Sequence, residues 1–258
     1  MIANPPLRSN GIYSPPSPAA AIVASAHPTG ANAVLARLHP DDLSRLLPLL
    51  TPCLLHAGQT LYQYGDTPTN VYFPKSGILS LVLTSQTGVD VEVGLIGREG
   101  LLGAAEVLAE HPMLRRAVVQ VAGSGWRISA SSLRETCSYN ARLSRSLWRA
   151  CHALDQQTAQ CTLCNRLHSV DQRLSRWLLM CQDRMQSDTL ELTHEVIGKM
   201  LGTRRVGVTL ASGDLREAGL IESHRGLITI LDRLGLEARS CECYSAICQS
   251  YTTIAAKN

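Results

Sequence analysis

Hydrophobic positions along the chain change rhythm three times. Over residues 33–50, "AVLARLHPDDLSRLLPLL" places Leu35, Leu38, Leu43, Leu46, Leu47 and Leu50 on one side of helical turns. Asp41 and Asp42 suit the start of the second helix. From 53 to 130 the pattern becomes short runs rich in valine and isoleucine: "VYFP", "ILSLVLT", "VDVEVGLI", "AVVQVA" and "GWRIS". Turn signals such as "YGDTPTN", "KSG", "SQTG" and "AGSG" separate them. Strands at this spacing predict an all-β sandwich or barrel. Helical spacing returns near residue 131 and persists past 180. Within it Leu147, Cys151, Leu154, Thr158, Cys161, Asn165 and His168 recur at alternating steps of four and three, a polar heptad seam. So long a helix after a β-domain predicts a homodimer axis.

The last rhythm is the most compact. Thr193 can cap a helix whose inner face is Val196, Ile197, Met200 and Leu201, and Gly202 supplies a turn. The next helix sets Val208, Ala211, Ser212 and Leu215 on one side. Two short helices around a glycine turn predict a helix-turn-helix. "GLIESHRGLITIL" reads as a hairpin with Arg225-Gly226 at its tip, which makes the unit winged.

Composition adds limits. The chain has 258 residues, enough for about two domains; 45% are hydrophobic and 17% charged, and the net charge is +3. A general polyelectrolyte is excluded, whereas a local basic patch is not. No apolar run reaches membrane-spanning length, so no membrane partner is expected. Nine cysteines without framework spacing read as reduced thiols in a cytoplasmic protein. "AAAIVASA" at 19–26 ends in an export-like A-x-A pattern. "SPPSP" stands where a helical signal core would begin, so a disordered tail is expected over residues 1–30.

Two adjacent cations, Arg204 and Arg205, open the second helix of the helix-turn-helix, where the macrodipole is already positive. The second helix of such a motif enters the major groove of DNA by its N-terminal residues. With Val208 turned inward, about 100° per residue puts Val206 and Leu210 outward and Arg205 and Thr209 on the flank. Arg205 can then reach a guanine edge, and Val206 or Leu210 a thymine methyl. Phosphate offsets the dipole, with Arg204 as its contact. A glycine at 207 inside a helix costs ~1 kcal/mol; it either lets the DNA backbone approach or is simply tolerated.

Four segments carry a resemblance to a known family: "YGDTPTNVYFPKSGILSLV", "GREGLLG", "RLHSVDQRLSRWLL" and "LTHEVIGKMLGTRRVGVTL". Together they resemble the Crp/Fnr family of bacterial transcription regulators, over roughly residues 35–240. The resemblance implies an α+β protein with a cyclic-nucleotide-binding-like β jelly-roll sensory domain (31–140), a dimerisation helix (141–169), a winged helix-turn-helix domain (170–240) and a C-terminal tail (241–258). It implies Arg205 as the guanine-reading arginine, and phosphate contacts from Thr193 and His194 and from His224 and Arg225 in the wing. Its partners would be double-stranded DNA as an inverted repeat, a second copy of the chain, and RNA polymerase.

The sensory site departs from the family pattern. Cyclic-nucleotide-binding members hold the ribose with a Gly-Glu pair and the cyclic phosphate with an Arg-Ser pair. Here Gly103 precedes Ala104 and Arg116 precedes Ala117; Thr158 falls near a ligand-facing position, with Ala159 in place of a polar neighbour. Glu106 is the nearest substitute carboxylate. The expected pocket is therefore Gly103, Ala104, Arg116, Ala117 and Thr158, with no cyclic nucleotide, no cofactor and an unidentified effector. Cys161, Cys164 and His168, at i, i+3 and i+7, can converge on a metal. Cysteines also pack as small apolar residues in a helix seam, and no metal is expected. "CEC" at 241–243 reads as part of the tail. Two other function classes fit parts of the pattern. One is a ligand-binding module acting on a protein partner, which the basic recognition helix disfavours. The other is a cupin-like enzyme, which has too few histidines in the β-domain: His56 and His111 alone.

Overall fold

The computed structural model describes residues 32–255, so the tail expected over 1–30 lies outside the described residues. Two short helices, α1 (Ala33–Ala36) and α2 (Pro40–Leu46), lead into seven strands: β1 (Thr51–Leu55), β2 (Thr60–Tyr62), β3 (Asn70–Pro74), β4 (Ile78–Thr84), β5 (Asp90–Ile96), β6 (Arg116–Val121) and β7 (Gly123–Ser129). They form two antiparallel sheets, β1-β7-β3 and β2-β6-β4-β5. Helix α3 (Ala104–Ala109) lies between β5 and β6 in the chain. Leu55, Tyr62, Leu79, Leu81, Ile96, Leu102, Met113, Ala117 and Val119 form a core within this domain. Strands β3 to β7 coincide with the apolar runs of the sequence. β1 and β2 carry no such run: "TPCLL" contains a proline and buries only Leu55, and "TLY" has three residues and buries only Tyr62.

β4 is buried over five consecutive residues, Ile78 to Val82. Such a run requires cover on both faces. Leu79 and Leu81 face the jelly-roll core, while Ile78 joins a core formed mainly by the C-terminal domain. The two domains thus share apolar surface.

After α4 (Ala130–Ser138), helix α5 runs from Ala141 to Leu167, 27 residues or about 40 Å. It packs on its own β-domain along the stripe that the sequence suggested for a partner chain. Leu147 belongs to the cluster around Val71 and Phe73, Leu154 packs on the jelly-roll core, and Thr158 Oγ1 lies 2.9 Å from the Val93 carbonyl. The solvent-facing stripe is one residue further on: Trp148, His152, Asp155, Ala159, Thr162 and Arg166, again at steps of four and three. Periodicity fixes the angles between positions on a helix but not which stripe meets its own domain. Here the more apolar stripe turns inward.

The C-terminal domain comprises α6 (Val170–Met185), β8 (Thr189–Glu191), α7 (His194–Leu201), α8 (Arg205–Glu217), β9 (Ile221–His224), β10 (Leu227–Ile230) and α9 (Arg233–Arg239), with sheet order β8-β10-β9. Ser169 and Gln172 form a capping box that starts α6. Segment 241–258, expected as a tail, contains helix α10 (Cys243–Ala255), which packs along α5. Its Ile247 is buried and its Tyr251 hydroxyl lies 3.3 Å from Gln157 Oε1 of α5. The pattern predicts a partner for α5 from a second copy; α10 is a partner for it within the chain.

Candidate nucleic-acid interface and effector cavity

The helix-turn-helix is built as its residues dictate. Thr193 caps α7, its hydroxyl accepting from the Val196 amide at 3.3 Å. Gly202, at φ +58, ends α7 in the left-handed conformation. Val208, Ala211, Ser212 and Leu215 of α8 are buried. Gly207 does not face outward: a Cβ there would meet Thr203 Oγ1 at 3.2 Å and Val170 at 3.9 Å. Its smallness serves the packing of α8 against the turn and α6, not an approach to DNA.

α8 begins without help. Its N-cap is Arg204, which makes no capping bond, and its first turn has no acidic residue. Free backbone N–H groups and two arginines gather at one helix end, an anion-binding arrangement. Val206 and Leu210 are 67% and 65% exposed on the outer side of α8, beside the arginines. His194 Nδ1 lies 3.1 Å from Thr209 Oγ1, and its Nε2 lies 3.4 Å from Ser223 Oγ in the wing. Burial, then the nearby Arg205, hold this imidazole below its usual pKa. Arg225 and Gly226, both at positive φ, form the wing tip, the combination that a two-residue hairpin turn requires.

Thr193, His194, Arg205, Ser223, Arg225 and Gly226 line one concavity of about 450 Å³ between α7, α8 and the wing. Glu195 also lines it, with its carboxylate paired to Lys199 at 3.1 Å. Arg204, Val206, Thr209 and Leu210 are exposed beside it, as is His224 on β9. The first turn of α8 also walls a cleft whose opposite side is Gly88–Val91 of the β4–β5 hairpin.

The second candidate site is a cavity of about 330 Å³ between the β-domain and α5. Gly103, Ala104, Glu106, Arg115, Leu81 and Leu102 line one side, and Trp148, Cys151, His152, Leu154 and Asp155 the other. Of the five expected residues, Gly103 and Ala104 are at the cavity and three are not. Arg116 is bound to the Asp90 carboxylate, Ala117 is buried in the jelly-roll core, and the Thr158 hydroxyl is spent on the Val93 and Leu154 carbonyls. The cavity arginine is Arg115, 3.4 Å from Glu106. The alternation of β6 held this information: Ala117 and Val119 point inward, so Arg115, not Arg116, shares their face.

Two links join the β-domain to α6. Trp177 Nε1 donates to Glu92 Oε1 at 3.0 Å. Arg184, buried, pairs with Glu99 of the "GREGLLG" segment at 2.9 Å and donates to Gln157 Oε1 at 2.6 Å.

Comparison with known proteins follows the same division. Residues 52–140 match the model of the cyclic nucleotide-binding domain, and residues 172–239 that of the Crp-like helix-turn-helix domain. The chain is 27% identical over 184 residues to the Global nitrogen regulator of a Nostoc species, covering 67% of this chain and 81% of the relative. Among solved structures it is similar in fold to FixK2 from Bradyrhizobium japonicum, with a TM-score of 0.64 at 18% identity, covering 74% of this chain and 98% of the other. It is similar also to the c-di-GMP responsive global regulator CLP of Xanthomonas campestris, with a TM-score of 0.61 at 13% identity, covering 74% of this chain and 99% of the other. Among the described residues no helix is long and apolar enough to cross a membrane.

Proposed function

This chain belongs to the Crp/Fnr family of DNA-binding transcription regulators, which are not enzymes, and on that premise we propose that it acts in the cytoplasm as a homodimer on an inverted-repeat operator without cyclic AMP. The observation that supports this most is the concavity shared by the two helix-turn-helix helices and the wing, with Arg205 at its mouth. In this reading Arg205 reads a guanine, Val206 and Leu210 meet thymine methyls, and Thr209 lies at the base edges. Arg204, Thr193, His194, His224 and Arg225 hold phosphates.

The dimer is proposed along the exposed stripe of α5, where Trp148 and Ala159 offer the apolar and small positions. Trp148, His152 and Asp155 of that stripe also line the effector cavity, so a partner helix on the stripe would help close it. Charge argues against a cyclic nucleotide. The cavity sets Arg115 against two carboxylates, Glu106 and Asp155, so an added cyclic phosphate would face a surplus of negative charge. Ala104 offers no carboxylate to the ribose. A neutral or cationic effector suits this lining better. RNA polymerase is proposed as a protein partner on family membership. Selection of bound sequences from a random duplex pool tests the reading. Enrichment of an inverted repeat with half-sites about one helical turn apart is expected; no enrichment, or a single asymmetric site, contradicts it.

A further inference from the structure

Four potential metal ligands from two distant parts of the chain meet where α5 ends. Cys164 lies in the last turn of α5, and His168 is its C-cap. Cys241 precedes α10, and Cys243 is its first residue. Their ligand atoms all lie within 4.8 Å of one another. Cys164 Sγ is 3.4 Å from Cys241 Sγ, and Cys243 Sγ is 3.5 Å from His168 Nδ1. A regular tetrahedron with bonds of ~2.0–2.3 Å puts neighbouring ligand atoms roughly 3.3–3.8 Å apart. We propose that Cys164, His168, Cys241 and Cys243 bind one Zn²⁺ per chain in a tetrahedral Cys3His site that ties the end of α5 to the start of α10.

Two further features fit this set. His168 Nε2 lies 3.2 Å from the Glu242 carboxylate. Donation there leaves Nδ1 as the lone-pair nitrogen facing the thiols, the carboxylate–histidine–metal arrangement. Arg176 supplies the second. It is buried, and its NH1 group donates to sulfur atoms, Cys161 Sγ at 3.2 Å and Met180 Sδ at 3.1 Å, while its Nε has no partner. A buried cation needs a counter-charge. On metal binding the three thiols release their protons to solvent, and three thiolates with one Zn²⁺ carry a net charge of −1, which offsets the positive charge of Arg176, a cation that interacts with Cys164 and Cys241. Soft sulfur ligands in a closed tetrahedron select zinc over magnesium, calcium or manganese. The sequence could not assemble this site, because the Cys-x-Cys pair stands about 75 residues from the helix. Cys161, which spacing alone grouped with Cys164 and His168, instead faces Arg176.

The test is the metal content of the full chain purified under reducing conditions. One zinc per chain is expected, retained in Cys161→Ser and lost in Cys243→Ser or Cys164→Ser. A variant that misfolds does not blunt the test, because wild-type protein can be reloaded with Co²⁺. The expected result is the intense visible spectrum of tetrahedral cobalt with thiolate charge-transfer bands. Wild-type protein that holds no stoichiometric zinc and gives no tetrahedral cobalt spectrum overturns the proposal. So does metal that persists in both cysteine variants, or a metal-free protein carrying a Cys164–Cys241 disulfide.

Discussion

Glu92 of β5 accepts a hydrogen bond from the Trp177 indole of α6 at 3.0 Å, so a carboxyl of the β-domain is joined to the first helix of the C-terminal domain. Ser80 donates to its other oxygen at 2.6 Å. Burial outweighs both bonds and pushes the Glu92 carboxyl up to about 7. Once protonated, it can donate to Ser80, whose own hydroxyl is 3.8 Å from Met200 Sδ on α7.

A carboxyl whose pKa is raised on folding stabilises the fold fully below its unfolded value, 4.5, and loses that contribution as pH rises toward 7. The contribution of Glu92 to stability should therefore fall across that window by an amount on the order of 3 kcal/mol at most. Glu92→Gln keeps the shape and can still accept from Trp177, and should flatten the dependence. Urea unfolding at a series of pH values measures it; an unchanged pH profile in the variant would refute the assignment.

Along α5 the exposed stripe, not the buried one, should carry the dimer. Ala159→Glu should yield monomers in sedimentation equilibrium with the fold intact. Leu154→Glu should instead destabilise the jelly roll by several kcal/mol, because Leu154 packs on its core. A dimeric Ala159→Glu protein of wild-type affinity would point to another interface.

How far these features were legible in the sequence depended on distance along the chain. The helix-turn-helix could be read because its cap, glycine turn and inner face fall within about 25 residues, from Thr193 to Leu215. The long strands declared themselves by apolar runs. The facing of α5 could not be read, since two stripes one residue apart have the same period. The pocket arginine was misplaced by one position in the Arg115-Arg116 pair, and on a strand one position reverses the face. The packing of α10 on α5 is a long-range contact that no local pattern announces.

In the effector cavity, removing negative charge should matter more than removing the arginine's neighbour in sequence. Calorimetric titration of the wild type with cyclic AMP should show no binding at micromolar concentration. Glu106→Gln frees Arg115 from its ion pair and should improve any residual affinity, whereas Arg116→Ala, with its partner Asp90 outside the cavity, should not change it. Micromolar binding to the wild type that is lost in Arg115→Ala would show that the arginine serves a cyclic phosphate despite Glu106.

The central claim is that the concavity around Arg205 reads DNA. Its most direct measurement is the affinity of wild-type, Arg205→Ala and Arg204→Ala proteins for the selected operator and for copies with single base changes, at fixed salt. Arg205→Ala should bind roughly 5- to 150-fold more weakly and lose discrimination at one guanine per half-site, while Arg204→Ala weakens all sequences alike. Wild-type affinity and base preference in both variants would contradict the account.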